Sequence, residues 1–175
     1  MNEHLTDRNF WESFWRSKTD LIFKIKKDYV FGDQLRQAAD DIHAKTAIEL
    51  GGFPGYYSIY FRKYLNLDTT LFDYFISKDI IKELLAANGL DENDIHIIEN
   101  DLFRYQPERQ YDIVSSFGLI EHFGDTQDII SRHIQFLKPG GRLFITLPNF
   151  KAVNGWVQKT FDRENYDKHN IRSMD

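Results

Sequence analysis

The stretch Thr46-Ala47-Ile48-Glu49-Leu50-Gly51-Gly52-Phe53-Pro54-Gly55 decides how the rest of the chain is read. Thr46 to Leu50 is a short apolar run of buried-strand length, closed by Gly51 and Gly52. From Gly55 to Tyr64, Tyr56, Ile59, Tyr60 and Lys63 fall in successive helical turns, so a strand, a turn and a helix follow one another. The same unit repeats downstream. Thr69 to Tyr74 reads as a second strand, and Ser77 is a helix N-cap for a run ending at Ala87, stopped by Asn88-Gly89. Ile95 to Ile98 is a third strand and Tyr111 to Phe117 a fourth, with room for a helix between them. Asp125 to Leu137 is a helix, and Arg142 to Leu147 a fifth strand introduced by Lys138-Pro139-Gly140-Gly141. Alternation of this kind predicts a three-layer α/β fold: a doubly wound, mostly parallel sheet with helices on both faces. The loops after the first four strands then share one site at the carboxyl edge of the sheet.

Upstream, Phe10, Trp11, Phe14 and Trp15 put four rings on one face of a helix spanning Asp7 to Lys18. Leu21 to Val30 is ambiguous, and Asp33 to His43 is again helical. The expected organisation is an N-terminal helical extension over 1–43, the α/β domain over 44–148, and the start of a cap segment over 149–175. The 175 residues suit one domain, at 42% hydrophobic and 28% charged. A net charge of -5 gives no positive field for a nucleic-acid backbone or an anionic membrane. No run approaches bilayer-spanning length, and the N-terminus does not read as a signal peptide. The absence of cysteine excludes disulfide scaffolds and thiol nucleophiles and suits a reducing compartment, so a cytoplasmic location is expected. The unusual figure is 15 Phe, 9 Tyr and 3 Trp, which must be buried or used on something flat or cationic.

Three acids stand after successive strands. Glu49 precedes the glycine-rich turn, Asp73 ends the second strand, and Asp101 follows the third in Glu99-Asn100-Asp101-Leu102. A carboxylate at the position of Asp73 suits a ribose diol, and one at Asp101 an exocyclic amine. A cap, a solvated acid or a surface turn explains each of them singly as well. The segments Ala47-Ile48-Glu49-Leu50-Gly51, Leu71-Phe72-Asp73, Asn100-Asp101-Leu102, Tyr111 to Phe123 and Leu137-Lys138-Pro139-Gly140-Gly141-Arg142-Leu143 together resemble the ordered motifs of class I S-adenosylmethionine-dependent methyltransferases of the generic small-molecule type. The resemblance covers about residues 44–149. It implies S-adenosyl-L-methionine as cofactor and strand order 3-2-1-4-5. It also implies Glu49, Gly51 and Gly52 at the methionine end, Gly55 opening the helix beyond, and Asp73 on the ribose. Asp101 and Leu102 fall at the adenine and Phe117 by the amino group. Asp112 reads as structural.

The family's loop has a glycine where this chain has Phe53. A ring there either lowers cofactor affinity or goes with a loop repacked around Pro54. Dehydrogenase chemistry needs Gly-x-Gly-x-x-Gly, which glycines at 51, 52 and 55 do not match. A methyltransferase-fold binding protein without catalysis, or an incomplete fragment, stays open as an alternative. His122 and Glu121 are the candidate catalytic pair, a base mattering only if the nucleophile arrives protonated; capping of a short helix and packing against the cofactor loop is the alternative, and the favoured, explanation. The histidines at 4, 43, 96, 122, 133 and 169 show no paired spacing, so no metal site is expected. The acceptor is expected to be a small molecule. Trp156 and Tyr166 are candidates to line its pocket, the aromatic face of the first helix either covers the cleft or packs on the domain, and Lys24, Lys26 and Lys27 either touch an anionic acceptor or are solvated. Family members continue past strand five with a helix and two strands, so the C-terminal strands are expected to be missing, leaving a sheet edge that a second copy could cover as a homodimer.

Overall fold

The computed structural model describes residues 6–149, 156, 159–160, 162–163 and 168–174. Among these, five strands form one parallel sheet: β1 (Thr46–Leu50), β2 (Asp68–Asp73), β3 (Ile95–Glu99), β4 (Tyr111–Phe117) and β5 (Leu137–Thr146). Their order is β3-β2-β1-β4-β5, with Ile48 opposite Thr70 on one side and Val114 on the other. The order is the one the family resemblance implies.

Side chains alternate across the sheet, so each strand feeds two cores. Ala47, Leu71 and Ile113 face α2 (Gly32–Asp41), α3 (Tyr56–Leu65) and α4 (Lys78–Ala87), where Leu35, Ile59, Phe61 and Leu84 complete the layer. Ile48, Leu50, Phe72 and Val114 face the other way, onto Ile129 of α5 (Thr126–Gln135) and Phe136 at its end. Three layers result.

At the amino edge of the sheet, the carboxylate of Asp112 accepts hydrogen bonds from the Lys45 and Thr46 amides (3.0 and 2.9 Å), the Thr46 hydroxyl (2.8 Å) and Lys138 Nζ (2.9 Å). It therefore joins β1, β4 and β5 and is structural, as the sequence indicated. Lys138 to Gly141 belong to β5 rather than preceding it, carried by a register shift between Tyr111 and Ile113. A Cβ on Gly141 would meet the Asp112 carbonyl at 2.8 Å, which is why the irregularity falls on a glycine.

No helix lies between β3 and β4. The ambiguous segment, Leu21 to Val30, contains no helix or strand and crosses α3 instead. Tyr56, Tyr60 and Tyr64, one helical turn apart, donate their hydroxyls to the carbonyls of Leu21, Lys27 and Ile25 (3.1, 3.1 and 2.8 Å). Asn88 completes the fixation, accepting from the Ile25 amide (2.8 Å) and donating to the Phe23 carbonyl (3.0 Å). Lys24, Lys26 and Lys27 are left exposed. No helix among the described residues is long and apolar enough to cross a membrane.

Candidate active site

A parallel sheet turns every strand's carboxyl end, and the loop after it, to the same edge. Here those loops enclose a cavity of about 370 Å³. The turn after β1 contributes Gly51, Gly52, Phe53 and Pro54, β2 contributes Phe72 and Asp73, the loop after β3 Asn100, Asp101 and Leu102, and the segment after β4 Phe117, Leu119 and His122. Glu49 also reaches it. Of the predicted cofactor residues only Gly55 does not line this space: it is the N-cap of α3, at φ 101°.

The turn after β1 is built around the two buried acids. Glu49, 3% exposed, accepts from both the amide and the hydroxyl of Ser58 in α3 (2.7 and 2.6 Å). A Cβ on Gly52 would lie 2.4 Å from Glu49 Cγ, so only glycine lets the turn pass over that side chain. Asp73 accepts from the Phe53 amide at Oδ2 (2.9 Å) and the Phe75 amide at Oδ1 (3.0 Å), tying the turn to the loop after β2. Burial pushes the Glu49 carboxyl up to about 8, opposed by the Ser58 hydrogen bonds and helped by nearby Asp73. It pushes Asp73 up to about 6 against the backbone amides it accepts from. Two buried acids in one wall give the cavity a place for a cationic or hydroxyl-rich ligand.

Positive φ falls on Gly51 (61°) and Gly55 (101°), and Phe53 is outside it. The Phe53–Pro54 peptide is cis. The Phe53 ring, 3% exposed, sits edge-on between Trp15 and Phe75, at 5.2 and 5.6 Å between centroids.

Asp101 forms a tight turn, Oδ1 accepting from the Phe103 amide at 2.9 Å and Oδ2 facing Arg104 Nε at 3.4 Å. The Phe117 ring stacks on Tyr57 at 3.4 Å, and both residues line the cavity. Helix α1 (Arg8–Arg16) lies along the cavity, contributing Trp11, Phe14 and Trp15 to its wall. Its aromatic face both packs on the domain and lines the space. Arg8 pairs with Glu99 at the end of β3, and the Trp11 ring meets the His122 ring edge-on at 4.9 Å.

His122 and Glu121 lie in a single 3-10 turn, Ile120–His122, after β4. His122 Nδ1 lies 3.3 Å from the Lys168 carbonyl. Burial, then the neighbouring His169, push its imidazole down to about 4. Glu121 is 1% exposed, its Oε2 has no hydrogen-bond partner among the described residues, and burial raises its carboxyl to about 7. Glu121 does not line the cavity. Although no spacing in the sequence pairs them, the His122 and His169 rings are 4.8 Å apart. His133 is a satisfied core residue, between the Ile129 carbonyl (2.7 Å) and Ser116 Oγ (2.9 Å). Trp156 is 64% exposed, and Tyr166 lies outside the described residues.

The family model of the methyltransferase domain matches residues 24–174, nearly the whole of what has just been described. The chain belongs to the methyltransferase-domain family. A curated relative, malonyl-[acyl-carrier protein] O-methyltransferase 2 of Ilyobacter polytropus, is 31% identical over 71 residues, 41% of this chain and 27% of the relative. An O-methyltransferase family protein from Burkholderia thailandensis has the same fold at TM-score 0.59 and 19% identity, over 92% of this chain and 58% of that one. DesVI of Streptomyces venezuelae superposes at TM-score 0.56 and 15% identity, over 83% and 59%. The N-methyltransferase NodS of Bradyrhizobium japonicum WM9, solved with S-adenosyl-L-homocysteine, gives 0.51 and 14%, over 81% and 68%. This methyltransferase domain therefore spans about a quarter of the curated relative and roughly three-fifths to two-thirds of these structures.

Proposed function

We propose that the chain binds S-adenosyl-L-methionine in the cavity at the carboxyl edge of its sheet and transfers the methyl group to a small-molecule acceptor. The observation that carries this reading is the arrangement of Glu49, Asp73 and Asp101 along one cavity whose other walls are aromatic. The residues fit the cofactor. Asp73 keeps lone pairs beyond its two backbone bonds for the ribose hydroxyls. Glu49 stands beside the glycine turn, where one of its oxygens would accept from the amino group, and Asn100, Asp101 and Leu102 border the place for adenine. When bound, the cofactor supplies a methyl on a sulfonium cation, which passes in line to the acceptor's electron pair while the sulfur keeps the electrons of the broken bond.

The protein's own task is placement. Trp11, Phe14 and Trp15 exclude water from the cavity and offer ring faces to a cation. Alignment of donor and acceptor is worth roughly 7 to 11 kcal/mol. Burial holds the His122 imidazole down at about 4, so at neutral pH it is uncharged and only weakly basic. The cysteine-free composition fits action in the cytoplasm.

Calorimetric titration with S-adenosylmethionine, S-adenosylhomocysteine and a nicotinamide dinucleotide in parallel tests the reading. Binding of the first two at micromolar concentration, and not of the third, is the expected outcome. Binding of the dinucleotide alone overturns it.

A further inference from the structure

Glu121, His122 and His169 each offer one ligand atom, and the three atoms lie within 4.8 Å of one another. Two features separate this group from a chance meeting of polar side chains. The first is Glu121, whose Oε2 is buried without a partner among the described residues. A buried carboxylate oxygen is unfavourable when orphaned in this way, unless something satisfies it. The second is the support around the histidines. His122 Nδ1 points at the Lys168 carbonyl, which selects the tautomer whose Nε2 carries a lone pair. Metal-bound imidazoles are oriented in this way.

His169 is held from both sides. Lys168 carries the carbonyl facing His122, and Asn170 donates its amide to the Glu121 carbonyl (2.6 Å) and its side chain to the carbonyls of Phe123 and Gly124 (2.9 and 3.1 Å). The chain around residue 169 is thus fastened to the turn that carries the other two side chains. We propose that Glu121, His122 and His169 form a binding site for a divalent transition cation of the zinc type, set in the cavity wall after β4.

Two imidazoles and one carboxylate suit zinc, cobalt, nickel or iron(II) better than magnesium, which prefers oxygen. Zinc–ligand bonds of about 2.0–2.1 Å place tetrahedral ligand atoms about 3.3 Å apart, so the three groups draw together by about 1.5 Å at most. Three protein ligands leave a position for water or for an oxygen of a molecule in the cavity, which His122 lines. The site does not depend on methyl transfer, and its test uses no cofactor.

The experiment is calorimetry of zinc and cobalt on the tag-free, chelator-treated full chain, with visible spectra of the cobalt form. One equivalent is expected to bind, with cobalt absorption bands, and a large excess of magnesium is expected not to displace it. His122→Ala, His169→Ala and Glu121→Gln should each weaken binding at least about 10-fold and abolish the bands, with unchanged circular dichroism. Should Glu121→Gln fail to fold, the two histidine variants decide. Substoichiometric uptake, equal affinity in the histidine variants, or binding lost instead on replacing His4, His43 and His96 overturns the proposal.

Discussion

Replacing Glu49 by Gln should make the protein more stable at pH 8 and almost unchanged at pH 5. Glu49 is fully enclosed, and burial raises its carboxyl to about 8 from an ordinary 4.5. Between those values the native state holds a proton that the unfolded chain has released, so its contribution falls as pH rises. Below 4.5 the contribution is complete, and it is lost progressively as pH climbs towards 8. Integrated from pH 5 to pH 8, the single group removes on the order of 3 kcal/mol. Glutamine keeps an oxygen that can accept from the Ser58 amide and hydroxyl but cannot ionise, so the variant lacks that slope. Urea unfolding of both proteins at pH 5, 6.5 and 8 gives the two curves. Their difference isolates Glu49 from Asp73, Tyr29 and Tyr57, which share its surroundings and remain in both proteins. Parallel curves would show that the carboxyl is ionised in the native state at neutral pH and would remove the argument.

Asp73→Asn should weaken S-adenosylhomocysteine binding by at least about 10-fold in calorimetry, because a ribose contact and a charge are lost. It should also lower urea stability by about 1–3 kcal/mol, since the Phe53 and Phe75 amides donate to different carboxylate oxygens and asparagine has only one oxygen to accept with, leaving one amide facing an NH2 donor; unchanged affinity would take Asp73 out of the site. Asp112, held down at about 2 by the Lys138, Lys45 and Thr46 hydrogen bonds against partial burial, contributes stability above pH 3.8 that disappears as pH falls through 2. Asp112→Asn should therefore flatten the acid limb of thermal unfolding, by on the order of 1 kcal/mol after screening. Trp15→Ala, which removes the ring packed on Phe53, should cost about 2- to 10-fold in S-adenosylhomocysteine affinity by the worth of one aromatic pair; no change would make α1 a packing helix only.

The shared edge was legible because a parallel sheet imposes it, whereas the strand order came only with the family resemblance. Once β1 to β4 were located by short apolar runs, Glu49, Asp73 and Asp101 had to meet, whatever the loops did. Asp112 was legible as structural for a related reason, since it starts a strongly patterned strand. The details set by backbone torsions were not. Whether Phe53 opposed the glycine turn depended on which residues carry positive φ, and that burden falls on Gly51 and Gly55. The ambiguity of Leu21 to Val30 was real, because that segment has no periodic partner and is fixed by side chains of other elements.

The aromatic excess shows the same division between local and distant information. Its location on helices was visible, but Tyr56, Tyr60 and Tyr64 use their hydroxyls on a crossing segment, while Trp11, Phe14 and Trp15 face the cavity. Both roles depend on what lies opposite, which no helical period encodes. Glu121, His122 and His169 are the extreme case. Ligand spacing in a sequence reveals sites built within one element, whereas His169 is 47 positions from His122 and is brought back by Asn170 bonding to the turn after β4. A buried acid with an unsatisfied oxygen is the structural trace of such a meeting, and it becomes visible only when every polar atom is accounted for in three dimensions.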